Sequence, residues 1–489
     1  MSSRQIFMMM VIAAVIGFYT PLSAFDTEEG IWMGVLIEFE ASTVLVGIDD
    51  PGSAEILASI LDTLGASVKD SIPQLNVWIL EIPDSLDVLE TCEFLTDSFY
   101  VRWAEPNPVG HPGDDPYFGD QWNLKNTGQE GGTAGADIDI ENAWAICRGG
   151  SQQKVAILDT GIPAEPGSQN LLHDDLDDPN RFVLGGIWSG ASDFRDCFGH
   201  GTFIAGIAGA ETDNELFVAG TCPECVILVE KITDGTHFET TPVWFANGLC
   251  HAADEGADVA NFSWGFGIPN PAVEEAIIYA RSQEMVVTMC SGNQGRDDVW
   301  YPCDLSDNEG YENVICVGGT DRWDHHVRYW VEDPFGGHWQ GPNYGPEINV
   351  AGPYGCEDEI DVLSTYPPYP MAGMPPGYPI EGLQYDEGTS YSAPHVAGVV
   401  GLIRSLNPEL TASEVREIIE QSAEDVNADQ YEGFDIYLGH GRLNAFGALL
   451  LTPTEGPKIL QADVNMGAGR TYGIVGELVV PDGRTMTIN

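Results

Sequence analysis

An α/β fold, with a mostly parallel sheet covered by helices on both faces, is what the sequence from Lys154 to Leu451 predicts. Two observations carry this. Apolar runs of strand length alternate with longer segments of helical period, the pattern of strand–helix–strand crossovers. In addition, Asp159 and Asn293 stand at or just beyond the ends of such runs. In an open parallel sheet that edge is where ligands and catalysis collect. A smaller unit, residues 25–110, mixes strand-like and helix-like segments and reads as α+β.

The strands expected in the larger region are Val155–Leu158, Val226–Glu230, Val259–Phe262, Met285–Met289 and Val314–Gly318. Each is a short apolar run without polar alternation, as a strand buried on both faces requires. Helical period marks Phe203–Ala210, Val243–Glu255, Pro271–Ser282, Ala393–Leu406 and Ala412–Gln421. In the smaller unit, Val35–Ile37, Val44–Val46 and Val77–Leu80 are strand-like, while Ala54–Leu64 and Leu86–Leu95 are helix-periodic, and Tyr100–Asn107 closes the segment. The Pro/Gly-rich stretch from Pro106 to Gly113 is the expected linker. Residues 452–489 alternate and turn around Val479–Ile488 like one rung of a β-solenoid, either a fragment or a small strand appendage.

Charge and cysteine content bound the compartment. The net charge is -57, from 76 acids against 19 bases. Such a surface repels nucleic acid and anionic lipid and attracts cations, which argues against either as a partner. The apolar run Ile6–Tyr19 follows Arg4 and precedes Pro21-Leu22-Ser23-Ala24, as in a signal peptide covering residues 1–24. It is short for a membrane span, although an uncleaved anchor is the alternative. Ten cysteines in an exported chain suit disulfides. Cys222-Pro223-Glu224-Cys225 lacks the second ligand pair of a zinc site, which favours a structural bridge over metal.

Three stretches carry chemistry. Lys154–Asp159 reads as a buried strand delivering a carboxylate at its edge. Gly199-His200-Gly201-Thr202 places a histidine at the mouth of a small-residue helix. Gly388-Thr389-Ser390 leads into a second such helix, with Pro394 expected in its first turn. A serine there meets unpaired N–H groups and the positive end of the helix dipole. Asp, then His, then Ser is one of the known chain orders of a serine-protease triad. Each residue alone has an ordinary structural use: Asp159 or Ser390 as a helix cap, His200 as a helix-mouth side chain.

Together these motifs resemble those of the subtilisin-like serine proteases (subtilases), over about Asp115 to Leu451. The resemblance implies a subtilisin-like three-layer αβα domain over 111–451, an N-terminal propeptide over 25–110 that assists folding and inhibits the enzyme, and secretion. It implies that Asp159, His200 and Ser390 form the triad and that Asn293 donates to the oxyanion. It makes Ser263, Trp264 and Gly265 the edge that pairs with substrate, and gives Gly292 a place in the main pocket, where Trp264 is bulkier than usual. It implies structural calcium (Ca2+) at Asp115, Asp175 and Asn214, with solvated acidic loops as the alternative, and no organic cofactor. Phe217 replaces a usual glycine in that loop, and Phe203 a usual second histidine. The expected partners are protein or peptide substrates and the chain's own propeptide, with no membrane after signal removal. Two other functions remain: an exported scaffold on a dead protease fold, and a membrane-anchored processing protease.

Overall fold

A computed structural model describes residues 115–332, 337–355, 361–369 and 382–454 throughout, and residues 27–108 and 458–488 in part. The expected signal segment, most of the Ala54–Leu64 helix and the linker residues 109–114 lie outside the described residues. The chain divides into two compact units, Met1–Pro112 and Gly113–Asn489.

The first unit is an antiparallel sheet of β1 (Thr27–Trp32), β2 (Val35–Ile48), β3 (Ser67–Ile72), β4 (Val77–Glu81) and β5 (Val101–Pro108), with helix α1 (Val88–Thr96). The two apolar runs in residues 35–46 are one long strand rather than two. Val44 and Val46 share a face because side chains alternate. They are buried with Leu80 and with Val88, Cys92 and Leu95, which recur at helical spacing along α1.

In the second unit, after the short helix α2 (Ile140–Trp144), seven strands form one parallel sheet: β6 (Lys154–Asp159), β7 (Phe182–Ile187), β8 (Val226–Lys231), β9 (Val259–Phe262), β10 (Val286–Cys290), β11 (Val314–Thr320) and β14 (Val350–Pro353), in the order β14-β11-β10-β9-β6-β8-β7. Strands β12 (Tyr329–Val331) and β13 (His338–Gln340) pair apart from it. Helices α3 (His200–Gly209) and α6 (Thr389–Leu406) pack on one face, and α4 (Pro242–Asp254) and α5 (Pro271–Ser282) on the other. The mostly parallel three-layer fold is therefore present. The order reverses about β6, so this strand delivers its last residue, Asp159, at the switch point where such sheets bind ligands.

Helix α6 corrects one expectation. It begins at Thr389, so Pro394 lies in its second turn, not its first. A proline there donates no hydrogen bond to the carbonyl four residues back. That carbonyl belongs to Ser390, and Ser263 Oγ donates to it at 2.8 Å. Disulfides join Cys222 to Cys225, as the sequence suggested, and Cys303 to Cys316. Towards the C-terminus, Lys458–Ile459 pairs in parallel with Leu478–Val479, and Val464–Met466 with Met486–Ile488. No helix among the described residues is long and apolar enough to cross a membrane.

Candidate active site

Asp159 ends the central strand and is 1 % exposed. Its Oδ1 accepts from Thr160 N at 2.7 Å and from His200 Nδ1 at 2.8 Å. His200 is the first residue of α3, and Asp196 builds that helix start. The fully buried Asp196 carboxylate accepts from the backbone N–H groups of Phe198, Gly199 and Thr202 and from Thr202 Oγ1, all within 2.7–2.9 Å. These donors would otherwise be left unpaired at the helix N-terminus. Gly199, just before His200, has φ 88° and its α-carbon faces the Tyr366 ring, so any side chain there would collide.

The imidazole is enclosed by rings. Trp264, Phe238 and Tyr391 lie 5.1, 5.2 and 5.7 Å from it between centroids. Burial disfavours the imidazolium, but the charge and hydrogen bond of Asp159, with Asp196 and Asp386 further off, outweigh it. The His200 pKa therefore lies above the usual histidine value. A raised pKa makes the neutral imidazole a stronger proton acceptor, at the cost of needing a higher pH to be free. Asp386 accepts from Tyr391 Oη at 2.6 Å and lines, with Phe198, Phe238, Tyr366 and Tyr391, a cavity of about 190 Å³ beside His200.

Ser390 is the second residue of α6 and is 8 % exposed. Its Oγ is aimed at the Ser263 carbonyl oxygen, 3.4 Å away, rather than at His200. One rotation about its Cα–Cβ bond re-aims the hydroxyl, and catalytic hydrogen bonds are often loose before substrate binds. Trp264 and Tyr391, the residues that follow Ser263 and Ser390 in the chain, both flank His200. Beneath it, burial pushes the Cys290 thiol up to about 12, so that group stays protonated.

Asn293 is held by its oxygen. Thr389 N and Thr389 Oγ1 donate to Asn293 Oδ1 at 2.9 and 2.8 Å. This fixes which end of the amide is the nitrogen and leaves Nδ2 on the side of Gly388, available as a donor. The N–H of Ser390 lies in the first turn of α6, where no helical acceptor exists. The arrangement can present two N–H donors to a developing oxyanion.

The expected substrate residues have mixed roles. Ser263 follows β9, and its hydroxyl serves the Ser390 carbonyl. Trp264 packs against both Phe238, at 4.7 Å, and His200, at 5.1 Å. Gly265 and Gly292 both lie against the side chain of Trp300. The expected metal residues come together: Asp115 accepts from Asp213 N and Asn214 N at 3.0 and 3.1 Å, while Asp175 accepts from Asn214 Nδ2 and Val218 N at 3.1 and 2.9 Å. Burial is the main reason that Asp115 is pushed up to about 6 and Asp175 to about 7, and the charge of Asp115 adds to the second shift. Phe217, in place of glycine, packs its ring on His173 at 4.9 Å.

Three residues escaped the sequence. Asp196 had a weak signal, an acid just upstream of a Gly-His helix mouth. Trp300 and Asp386 had none, since only folding brings them to the cleft.

Comparison with known proteins decides the family. A family model described as Subtilase family matches residues 150–441. The chain belongs to the subtilases. A second model, the fervidolysin N-terminal prodomain, matches residues 38–107 of this subtilase. The thermophilic serine proteinase of Bacillus sp. (strain AK1) is 30 % identical over 421 residues, 83 % of this chain and 86 % of that protein. Thermitase of Thermoactinomyces vulgaris is 33 % identical over 315 residues, 64 % of this chain and 93 % of its own. Among solved structures, a protease of Pseudoalteromonas arctica aligns with a TM-score of 0.52 at 26 % identity, covering 69 % of this chain and 99 % of that one. Fervidolysin from Fervidobacterium pennivorans aligns over 86 % of this chain and 62 % of its own with a TM-score of 0.51; at 21 % identity it speaks for the fold alone. This subtilase is thus a serine-type endopeptidase with an N-terminal prodomain.

Proposed function

We propose that this subtilase is an exported endopeptidase, made as a self-processing precursor, whose triad is Asp159, His200 and Ser390. The observation that carries the reading is the 2.8 Å bond from His200 Nδ1 to Asp159 at the sheet's switch point. That bond leaves Nε2 as the proton acceptor and stabilises the imidazolium when it forms. Ser390 Oγ attacks the peptide carbonyl as His200 takes its proton, and the oxyanion receives hydrogen bonds from Asn293 Nδ2 and Ser390 N–H. His200 then protonates the leaving amine, and water, deprotonated by the same imidazole, hydrolyses the acyl-enzyme. The strip Ser263–Gly265 pairs with substrate backbone, which gives affinity without demanding sequence.

In this proposal residues 25–110 are the propeptide, which acts as the chain's own inhibitor until it is removed, and 111–451 the peptidase domain. Calcium is held by Asp115, Asp175 and Asn214. Two buried carboxylates whose proton affinity is raised supply oxygen donors for a hard cation, and turning over the Asn214 amide, whose Nδ2 donates to Asp175, would add a third. When bound, the ion supplies charge neutralisation and cross-links the loop to the chain start; it takes no part in peptide cleavage.

Mass spectrometry of expressed wild type and Ser390→Ala tests the reading. Wild type is expected to lose everything up to a point between Asn107 and Asp115, and the variant to keep it. Identical processing of both sinks self-cleavage. A fluorophosphonate probe that labels mature wild type but not Ser390→Ala supports the triad, and an unlabelled wild type supports the inactive scaffold.

A further inference from the structure

Gly265 and Gly292 stand on the two stretches expected to receive the residue whose carbonyl is attacked. The space between them is already filled. A Cβ built on Gly265 would come within 2.8 Å of Trp300 Cβ and 2.9 Å of its ring; one built on Gly292 would come within 2.8 Å of two carbons of the same ring. Both glycine faces therefore lie against one indole. The backbone holds it there: Trp300 N donates to Ser291 O at 3.0 Å, and Phe266 N donates to Tyr301 O at 2.7 Å, tying residues 300–301 to both walls. The indole Nε1 donates to Gln294 Oε1 at 2.8 Å, and Gln294 N is itself held by Asn343 Oδ1 at 2.9 Å. Swinging the ring out would break that bond and empty a packed space. A cavity of about 290 Å³ does lie against Trp300, Gly265 and Gly267, but Ser390, Asn293 and Gly292 take no part in its lining. Trp300 is thus in the wall of that cavity while also lying against Gly292, the neighbour of Asn293.

We propose that Trp300 closes the slot between Gly265 and Gly292, so that this subtilase cleaves after glycine, alanine or serine and rejects large side chains. The inference rests on the proteolytic function proposed above. It makes a demand on the chain itself: the linker offers Gly110 and Gly113, so the mature N-terminus should be His111 or Asp114.

The experiment is a set of internally quenched peptides that differ only in the residue before the scissile bond: Gly, Ala, Leu or Phe. Wild type should show kcat/KM for Ala at least about 100-fold above Phe, the discrimination a shape-limited apolar slot can reach. Trp300→Ala and the less disruptive Trp300→Val should each cut the Ala/Phe ratio at least tenfold. A wild type that prefers Leu or Phe overturns the inference, as does a ratio unchanged in the variant that melts as a folded protein. Fluorophosphonate labelling at Ser390 runs alongside. No labelling overturns the proteolytic function and this inference with it, whereas labelling with a bulky preference overturns only the slot.

Discussion

Two groups of buried carboxylates in the catalytic unit are handled in opposite ways. Around His200, Asp159 faces an imidazole and Asp196 faces four N–H or O–H donors. Around residue 214, Asp115 and Asp175 receive only amide donors, burial pushes the proton affinity of both up, and the charge of Asp115 adds to that of Asp175. The first group meets side-chain and helix-start donors and leaves only Asp159 Oδ2 without a partner among the described residues; the second meets backbone and side-chain amides alone and keeps negative charge left over. The lesson is that the first should govern rate and the second stability.

The largest effect should come from Asp159→Asn. An amide at that position no longer fixes the proton-accepting face of His200, and kcat should fall by about 10⁴-fold with the melting temperature nearly unchanged. Equal loss of rate and of folded protein would break the contrast. Asp196→Asn comes next. It removes one acceptor from the start of α3, so His200 shifts slightly, and a misplacement of this kind costs about 10²-fold in rate. Circular dichroism melts would show whether the helix start, rather than the whole domain, has loosened.

Removing metal should do the reverse. A chelator is expected to destabilise the protein by about 3 kcal/mol relative to an excess of about 100 times the dissociation constant, lowering the melting temperature by several degrees. Asp175→Asn should be insensitive to the chelator. A chelator that abolishes turnover without moving the melt would place the ion's role at the reaction instead. The smallest effect concerns pH. If His200 is the base, as proposed, catalysis needs it neutral, and its raised pKa means that rate is lost as pH falls through a value above about 6.5. Asp386→Asn removes a charge that favours the imidazolium, so the acid limb of kcat/KM should move to lower pH by less than about one unit. A shift upwards would mean that Asp386 does not act on His200 through its charge.

The central strands were legible because burial on both faces leaves an unmixed apolar run, as in Val155–Leu158 and Val259–Phe262. β7 was missed because Phe182–Ile187 carries two glycines and only partial burial, and β14 because Val350-Ala351-Gly352-Pro353 has one branched apolar residue and ends in a Gly-Pro turn signal. The order of Asp159, His200 and Ser390 was readable as motifs, each tied to a local helix or strand end. Asp196 was within reach of the same logic, since its partners lie within six residues. Trp300 was not: nothing in Val299-Trp300-Tyr301 says that the ring will settle between glycines from two other loops. Pro394 misled by its type. Residue preference places it at a helix start, and the tertiary bond from Ser263 allows it one turn later.

That bond reaches across 127 residues of chain. Because the ring at position 394 cannot answer the carbonyl of Ser390, the proposed nucleophile, the strip along which a peptide would lie in that proposal answers it instead. With the backbone of Ser390 tethered to that strip, a displacement of one should carry the other along.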